Sequence, residues 1–400
     1  MKIPIKVRTL ASKAEISRSC LVSNFGRLRS LAQSGGARDI IAVVKANAYG
    51  HGVDRCAPWL AEAGARWLGV TSVAEGIAVR RLCPSPSILI MTALQAEEAD
   101  DAIASRLTPT VWEPRHLEWL AAAAGQRAAA LGSVPVHLEI DSGMSRQGAP
   151  ATEGAIAAFL QALRRFPALE LEGVFTHFAA PEELDAAQTA AQLVSFRRAV
   201  QQVTEAGFRP RFVHVGNSAT LLAQRDLPAL VQLAHGAGAE FLSRPGIALY
   251  GYSLPFSGGD APPAAASLQP VLAWKTQIAS LRRIDAGALV GYNGTFIAPR
   301  PMTIALLPIG YADGFSRKLS NRGHVLIRGQ RAPIVGRVSM DLTTVDVQDI
   351  PGVAAGDEVV LIGGQGDENI TADDLAHWAE TISYEILCGV GARVERIAAP

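Results

Sequence analysis

Between about residue 14 and residue 250, short β-branched runs alternate with Ala/Leu/Arg-rich stretches of helical period. The runs are IIAVVKA (40–46), WLGVTS (67–72), SILIM (87–91), TPTVW (108–112), VHLEID (136–141), LEGVFTH (171–177), FVHVGN (212–217) and RPGIALYG (244–251). Between them, stretches such as PRHLEWLAAAAGQRAAALG (114–132) and DAAQTAAQLVSFRRAVQQVTEAG (185–207) carry apolar residues three and four apart, the spacing of one helix face. Eight strands mostly separated by helices, within about 240 residues, predict a (β/α)8 TIM-like barrel over 12–252. An open doubly wound sheet shares this element order and is the alternative.

The texture then changes. SLPFSGGDAPPAAASLQP (253–270) has the composition of a linker. After it, LAWKTQIASLRRI, MTIALLPIGY, HVLIRGQRAPIVGRVSM, TTVDVQDI and DEVVLIG alternate with period two and are broken by glycine turns. This predicts a mainly β C-terminal domain over 271–400, with residues 1–11 either joining it or standing apart. One helix is expected late in it, TADDLAHWAETI (371–382), with Thr371 as N-cap and acidic residues in its first turn. The fold class is therefore α/β: a barrel followed by a β domain.

Composition adds exclusions. Of 400 residues, 49% are hydrophobic and 18% charged, and the net charge is zero, which leaves ample material for two cores. With no block of like charge, neither nucleic acid nor a membrane surface is expected as partner. Cys20, Cys56, Cys83 and Cys388 are widely spaced, which argues against a disulfide framework or thiolate metal site and fits a reducing compartment. The N-terminus lacks the apolar stretch of a signal peptide, and no apolar window is long enough to span a bilayer. A cytoplasmic protein without a metal is the expectation.

In barrels the chemistry sits at the C-terminal strand ends. Here those ends carry Lys45, Glu139 with Asp141, His177, and His214 with Asn217 and Ser218, while Arg244 opens the last run. Taken singly, each has an ordinary explanation: an exposed lysine, histidines bonded to backbone, an N-capping asparagine. Their recurrence at one end of successive strands is the informative feature. A partly desolvated lysine amine can form a Schiff base with a carbonyl. GNSAT (216–220) and the Gly246–Ile247 backbone could hold a phosphate. Pyridoxal phosphate satisfies both requirements, and so does a sugar-phosphate substrate of an aldolase.

AVVKANAYGHG, RPGIALYG, PIGYADGFSR, GRVSMD and YEILCGVGARVER, in that order, resemble the motifs of the alanine racemases, and the likeness covers nearly the whole chain. That resemblance implies a pyridoxal 5′-phosphate enzyme that racemises alanine with two bases, Lys45 and Tyr292. Lys45 would also tether the cofactor. Tyr49, Ser218, Tyr384 and the backbone of Gly246 and Ile247 would hold its phosphate, and Asn217 would also belong to the cofactor site. Arg244, supported by His214, would face the pyridine nitrogen, and His177 would lie near the ring. Arg146, Tyr311 and Met340 would bind substrate. The resemblance implies a homodimer with shared sites, since the groups matching Tyr292, Tyr311 and Met340 come from the partner subunit. An arginine gives up no proton to the pyridine nitrogen, so the ring is a weaker electron sink and prompt reprotonation is favoured.

Two features depart from the family pattern. Glu139 stands where many members carry a carbamylated lysine paired with the arginine matching Arg146, so Glu139 is expected to supply that anion. GMSRQG replaces the commoner GMGRLG and resembles racemases of broader amino-acid range. The competing functions are a broad-specificity racemase, a barrel decarboxylase, disfavoured by Arg244, and a non-catalytic pyridoxal-phosphate carrier, disfavoured by the β domain. The product would serve either in building peptidoglycan or in D-alanine breakdown.

Overall fold

The computed structural model describes residues 12–125 and 132–399. Residues 1–11, and 126–131 of the helical stretch predicted over 114–132, lie outside the described residues. The chain forms two compact units. One comprises Leu21–Ala48 and Val53–Gln269; the other joins Tyr49–Gly52 to residues 270–399 and to residues 12–20.

The first unit holds eight parallel strands: β1 (Asp39–Val43), β2 (Trp67–Val70), β3 (Ser87–Ile90), β4 (Thr108–Val111), β5 (Val134–Asp141), β6 (Leu169–Phe175), β7 (Phe212–His214) and β8 (Glu240–Ser243). Each pairs with the next, and β8 pairs back onto β1 through Leu242–Asp39 and Ser243–Ile40. Closure excludes the doubly wound sheet. Helices such as Val73–Leu82, Glu153–Leu163 and Ala187–Glu205 cross between strands. Val73–Leu82 shows how local sequence sets their bounds: Ser72 accepts the Glu75 N–H at its start, and Arg80 and Arg81 stand in its last turn. Ile41, Trp67, Leu89, Phe212 and Leu242 form one buried layer, with Met91 packed against it.

The last strand differs from expectation. RPGIALYG is not a strand: β8 ends at Ser243, and Ile247–Tyr250 is a 3-10 turn. Pro245 has no N–H for a ladder, so pairing stops there. Arg244 thus follows a strand's C-terminal end and does not open one.

In the second unit, six strands follow in the order Gln330–Pro333, His324–Ile327, Glu358–Gln365, Leu272–Gln277, Lys13–Ile16, Glu395–Ala398. Lys13–Ile16 runs antiparallel to Leu272–Gln277 and parallel to Glu395–Ala398, so residues 12–20 belong with this sheet. Ser280–Ile284, Met302–Leu307 and Thr343–Asp346 make a smaller sheet. The late helix spans Ala372–Ala379, and Thr371 and Asp374 form a reciprocal capping box. No described helix is long and apolar enough to cross a membrane.

Candidate active site

Lys45 lies just past β1, at the start of a turn with an unusual backbone. Ala46, Asn47, Ala48 and Tyr49 have φ of 52°, 54°, 55° and 51°, four consecutive left-handed residues of which none is glycine. L-residues resist this conformation by roughly 1–2 kcal/mol each, so neighbouring bonds must hold it. Glu75 Oε1 accepts the Ala46 N–H at 2.8 Å, and Asn47 Oδ1 accepts the Val53 N–H at 2.8 Å. The Ala48 N–H donates to Val44 O at 2.9 Å. The second Glu75 oxygen accepts from Thr71 N–H and Oγ1, which fixes the carboxylate itself. The lysine is thereby set on a rigid base.

Arg244, past the neighbouring strand β8, is buried and heavily anchored. Its Nη1 donates to His214 Nδ1 at 2.8 Å and to His214 O at 2.9 Å. Its Nη2 donates to Thr176 O at 2.8 Å and to His177 Nδ1 at 3.2 Å. The guanidinium carbon lies 4.9 Å from the Phe175 ring centroid, and that ring stacks on His214 at 4.5 Å. Burial lowers the Arg244 pKa to about 10, which still leaves it a cation at neutral pH. Burial, then Arg244, Arg146 and Lys45, push His177 down to about 3. His214 is also driven well below its ordinary value by burial and Arg244. One buried cation is thus held by two neutral imidazoles.

Asn217 takes the ordinary role, its Oδ1 accepting the Ala219 and Thr220 N–H groups as an N-cap. Ser218 Oγ accepts from Gly246 N–H at 3.0 Å and Ala248 N–H at 3.1 Å, which brings the predicted phosphate-binding segments together. Accepting twice, the hydroxyl keeps its own proton to donate.

Glu139 is only 2% exposed, and burial raises its pKa to about 7 against the opposing pull of Arg244, Gln147 and Arg146. Its bonded neighbour is Gln147, whose Nε2 donates to Glu139 Oε2 at 2.5 Å and to Met91 O at 2.8 Å. Arg146 acts on it through its field and is exposed. The loop before Arg146 is fixed by Asp141 Oδ1, which accepts the N–H groups of Gly143, Met144 and Ser145, each at 3.0 Å.

In the second unit, Tyr49 and Tyr384 approach with ring centroids 6.0 Å apart. Burial, Tyr384 and Cys388 raise the Tyr49 phenol well above its usual value, so it stays protonated as a donor. The helix Ser383–Gly389 is seated by two glycines. A Cβ on Gly50, at φ +80°, would lie 1.9 Å from Leu387 O, and one on Gly314, at φ +97°, 1.9 Å from Gly389 O. Gly50→Ala is expected to lower stability by about 2–4 kcal/mol, since backbone must move and φ is strained. Urea midpoints of the two proteins measure this; an unchanged midpoint would mean that the helix is not seated against Gly50.

Tyr292, Tyr311 and Met340 are 69%, 43% and 54% exposed, beside Leu289, Ile297 and Leu342, also exposed. Tyr292 sits on the turn of the Leu289–Val290/Phe296–Ile297 hairpin. Tyr311 and Met340 share one loop pair, with Tyr311 N–H on Ser339 O and Ala312 N–H on Met340 O, both 3.0 Å. Gly291 packs against the Arg337 backbone, so the hairpin adjoins this pair. An apolar surface carrying two tyrosines is presented to solvent.

Residues 137, 147 and 172 were not singled out from the sequence. His137 Nδ1 is 2.8 Å from His214 Nε2, and its Nε2 is 3.3 Å from Glu172 Oε2. The available signal was the period-two series His137, Glu139, Asp141 in β5, which puts three polar groups on one face of a buried strand.

A closed parallel barrel with lysine, arginine, histidine and glutamate converging at its C-terminal strand ends defines a barrel enzyme. Residues 16–254 match the model of the alanine racemase N-terminal domain, and 271–398 that of the alanine racemase C-terminal domain. The alanine racemase of Symbiobacterium thermophilum is 40% identical over 385 residues, 96% of each chain. The solved structure of the alanine racemase of Streptomyces coelicolor A3(2) superposes with a TM-score of 0.85 at 35% identity, covering 98% of both chains. That of Bartonella henselae, with covalently bound pyridoxal phosphate, gives 0.81 at 30% identity over 97% of this chain and 99% of its own. The chain belongs to the alanine racemase family, and its reaction is an amino-acid racemisation.

Proposed function

We propose that this enzyme interconverts L- and D-alanine with pyridoxal 5′-phosphate, using Lys45 of one subunit and Tyr292 of the partner subunit as the two bases. The observation that carries this reading is the pairing, past adjacent strands β1 and β8, of Lys45 on its braced turn with the histidine-anchored Arg244. The residues fit the cofactor. Lys45 offers the amine for its aldehyde; Ser218, whose oxygen accepts the Gly246 N–H, would hold the phosphate together with the backbone of Gly246 and Ile247 and with Tyr49 and Tyr384. Asn217 supports them as the N-cap, and Arg244 is a cation for the ring nitrogen, with His177 beside it. The cofactor, when bound, supplies the electron sink for the pair left at Cα.

The chain's own groups then move the protons. Lys45 Nζ removes or returns the Cα proton on one face, and Tyr292 Oη serves the opposite face. Arg146, Tyr311 and Met340 position the substrate, the latter two from the partner subunit. The exposed apolar surface around Tyr292, Tyr311 and Met340 supports self-association. Either supply of D-alanine for peptidoglycan or its breakdown uses this reaction. Optical assay of alanine beside serine, lysine and arginine tests the reading. Equilibration of alanine enantiomers supports it, comparable rates on the larger amino acids would make the enzyme broad in range, and CO2 release without enantiomer exchange would overturn it.

Glu139 is proposed to act as an anion near Arg146, and its titration gives a measurable sign. Its carboxyl titrates near 4.5 unfolded and about 7 folded, so between these values the folded state binds more protons. Stability contributed by this site therefore falls as pH rises through that window. Glu139→Gln abolishes the titration, so the variant should gain on wild type by roughly 1–3 kcal/mol between about pH 5 and about pH 8. Denaturant midpoints at both pH values measure it. A gain of the opposite sign would mean that the carboxylate is a net stabilised anion.

A further inference from the structure

Four side chains form one continuous hydrogen-bonded line: Arg244, His214, His137 and Glu172. The donor inventory sets its direction. A guanidinium can only donate, so in the 2.8 Å contact between Arg244 Nη1 and His214 Nδ1 the imidazole nitrogen accepts. His214 is buried and neutral, so its single proton sits on Nε2 and is donated to His137 Nδ1, 2.8 Å away. His137 is also buried, with its pKa lowered by that burial, so its proton sits on Nε2 and points at Glu172 Oε2, 3.3 Å away. Each bond fixes the tautomer required by the next.

The surroundings are built for this line. Gly173, opposite His137 in the β5–β6 register, leaves the space the ring fills: a Cβ there would lie 2.6 Å from His137 Nδ1. Trp67 at 5.5 Å and Phe212 at 6.4 Å flank the same ring, and Phe175 stacks on His214. Water is excluded along the two imidazoles, both of which are fully buried. Glu172 is the half-buried end of the line, on β6, five residues before His177.

We propose that Glu172 is a positioning residue for Arg244: its carboxylate holds His137, and through it His214, in the Nε2–H tautomer that presents a lone pair to the guanidinium. The proposal rests on the racemase reading only for its effect on rate. Without the carboxylate, His137 can carry its proton on Nδ1, where it meets the Nε2–H of His214. His214 must then give up one of its two partners, and Arg244 loses a fixed acceptor.

The test uses the pyridoxal-phosphate-loaded enzyme, labelled with 15N only in its eight histidines. In wild type, His137 and His214 should both show unprotonated Nδ1. Glu172→Leu should give mixed tautomers at both rings and about a tenfold lower kcat with a smaller change in KM, the scale of one hydrogen bond. Glu172→Gln, whose amide oxygen can accept from His137, should keep the tautomers and most of the rate. Because the nitrogen shifts report the line whatever reaction is catalysed, failure of the racemase reading would leave them unchanged. Nδ1 left unprotonated at both rings in Glu172→Leu would overturn the proposal. So would an equal rate loss in the Leu and Gln variants with tautomers unaltered. If Glu172→Leu does not fold, the Gln variant decides: loss of the Nε2–H tautomer in a folded protein overturns it.

Discussion

Lys45→Ala is expected to abolish racemisation, with a loss of ~10^4-fold or more, and to leave a protein that holds pyridoxal phosphate only reversibly. Two functions vanish with one side chain. The amine that would tether the cofactor is gone, and so is one proton-transfer group, which alone contributes about 10²–10⁴-fold. Stability should change little, because Lys45 is half-buried while the turn that follows it is held by the Glu75 and Asn47 side chains and the Val44 carbonyl, each accepting a backbone N–H. The measurement is twofold. Borohydride should fix the cofactor to wild type and fail to fix it to the variant, and the optical assay should be flat. A variant that still retains the label would move the tether to another residue.

Tyr292→Phe is expected to slow racemisation by about 10²–10⁴-fold while leaving the cofactor attached and the fold intact. The ring is 69% exposed in the single chain, so removing one hydroxyl should shift stability by less than about 0.5 kcal/mol. Its hairpin turn is maintained by Gly291, Asn293 and Gly294, at φ of 71°, 61° and 54°, and not by the tyrosine itself. If Tyr292 serves one face only, as proposed, proton exchange with solvent at Cα should survive on the lysine face. In deuterated water the variant should label one enantiomer of alanine faster than it produces the other. Equal loss of exchange and of racemisation would assign both protons to one group.

Much of this was legible because burial leaves a plain mark. The barrel strands read as short apolar runs, and the strand ends carried Lys45, Glu139, His177 and His214 in view. Arg244 was placed at a strand start because RPGIALYG is apolar enough to pass for a strand, whereas Pro245 stops the ladder one residue after it. Lys13–Ile16 went unread since it is short and its partners are remote; Ser12 bonds Trp274, 262 positions away. Such pairing is set by tertiary contact and not by local pattern. His137 and Glu172 were missed for a different reason. Each is ordinary on its own strand, and only the shift in β5–β6 register between Val136 and His137 sets the histidine against Gly173. Tyr292 is the converse case: motif likeness marked it, and a single chain shows it simply as an exposed aromatic.

In the proposed site the two bases come from two subunits, and mixing two inactive chains tests this most directly. Lys45→Ala and Tyr292→Phe chains, denatured together, refolded and reloaded with pyridoxal phosphate, should form a heterodimer with one site carrying both native bases. Random pairing in a two-fold dimer should then restore about a quarter of wild-type activity. No recovery above the separate variants, in a sample shown to contain heterodimer, would contradict the account.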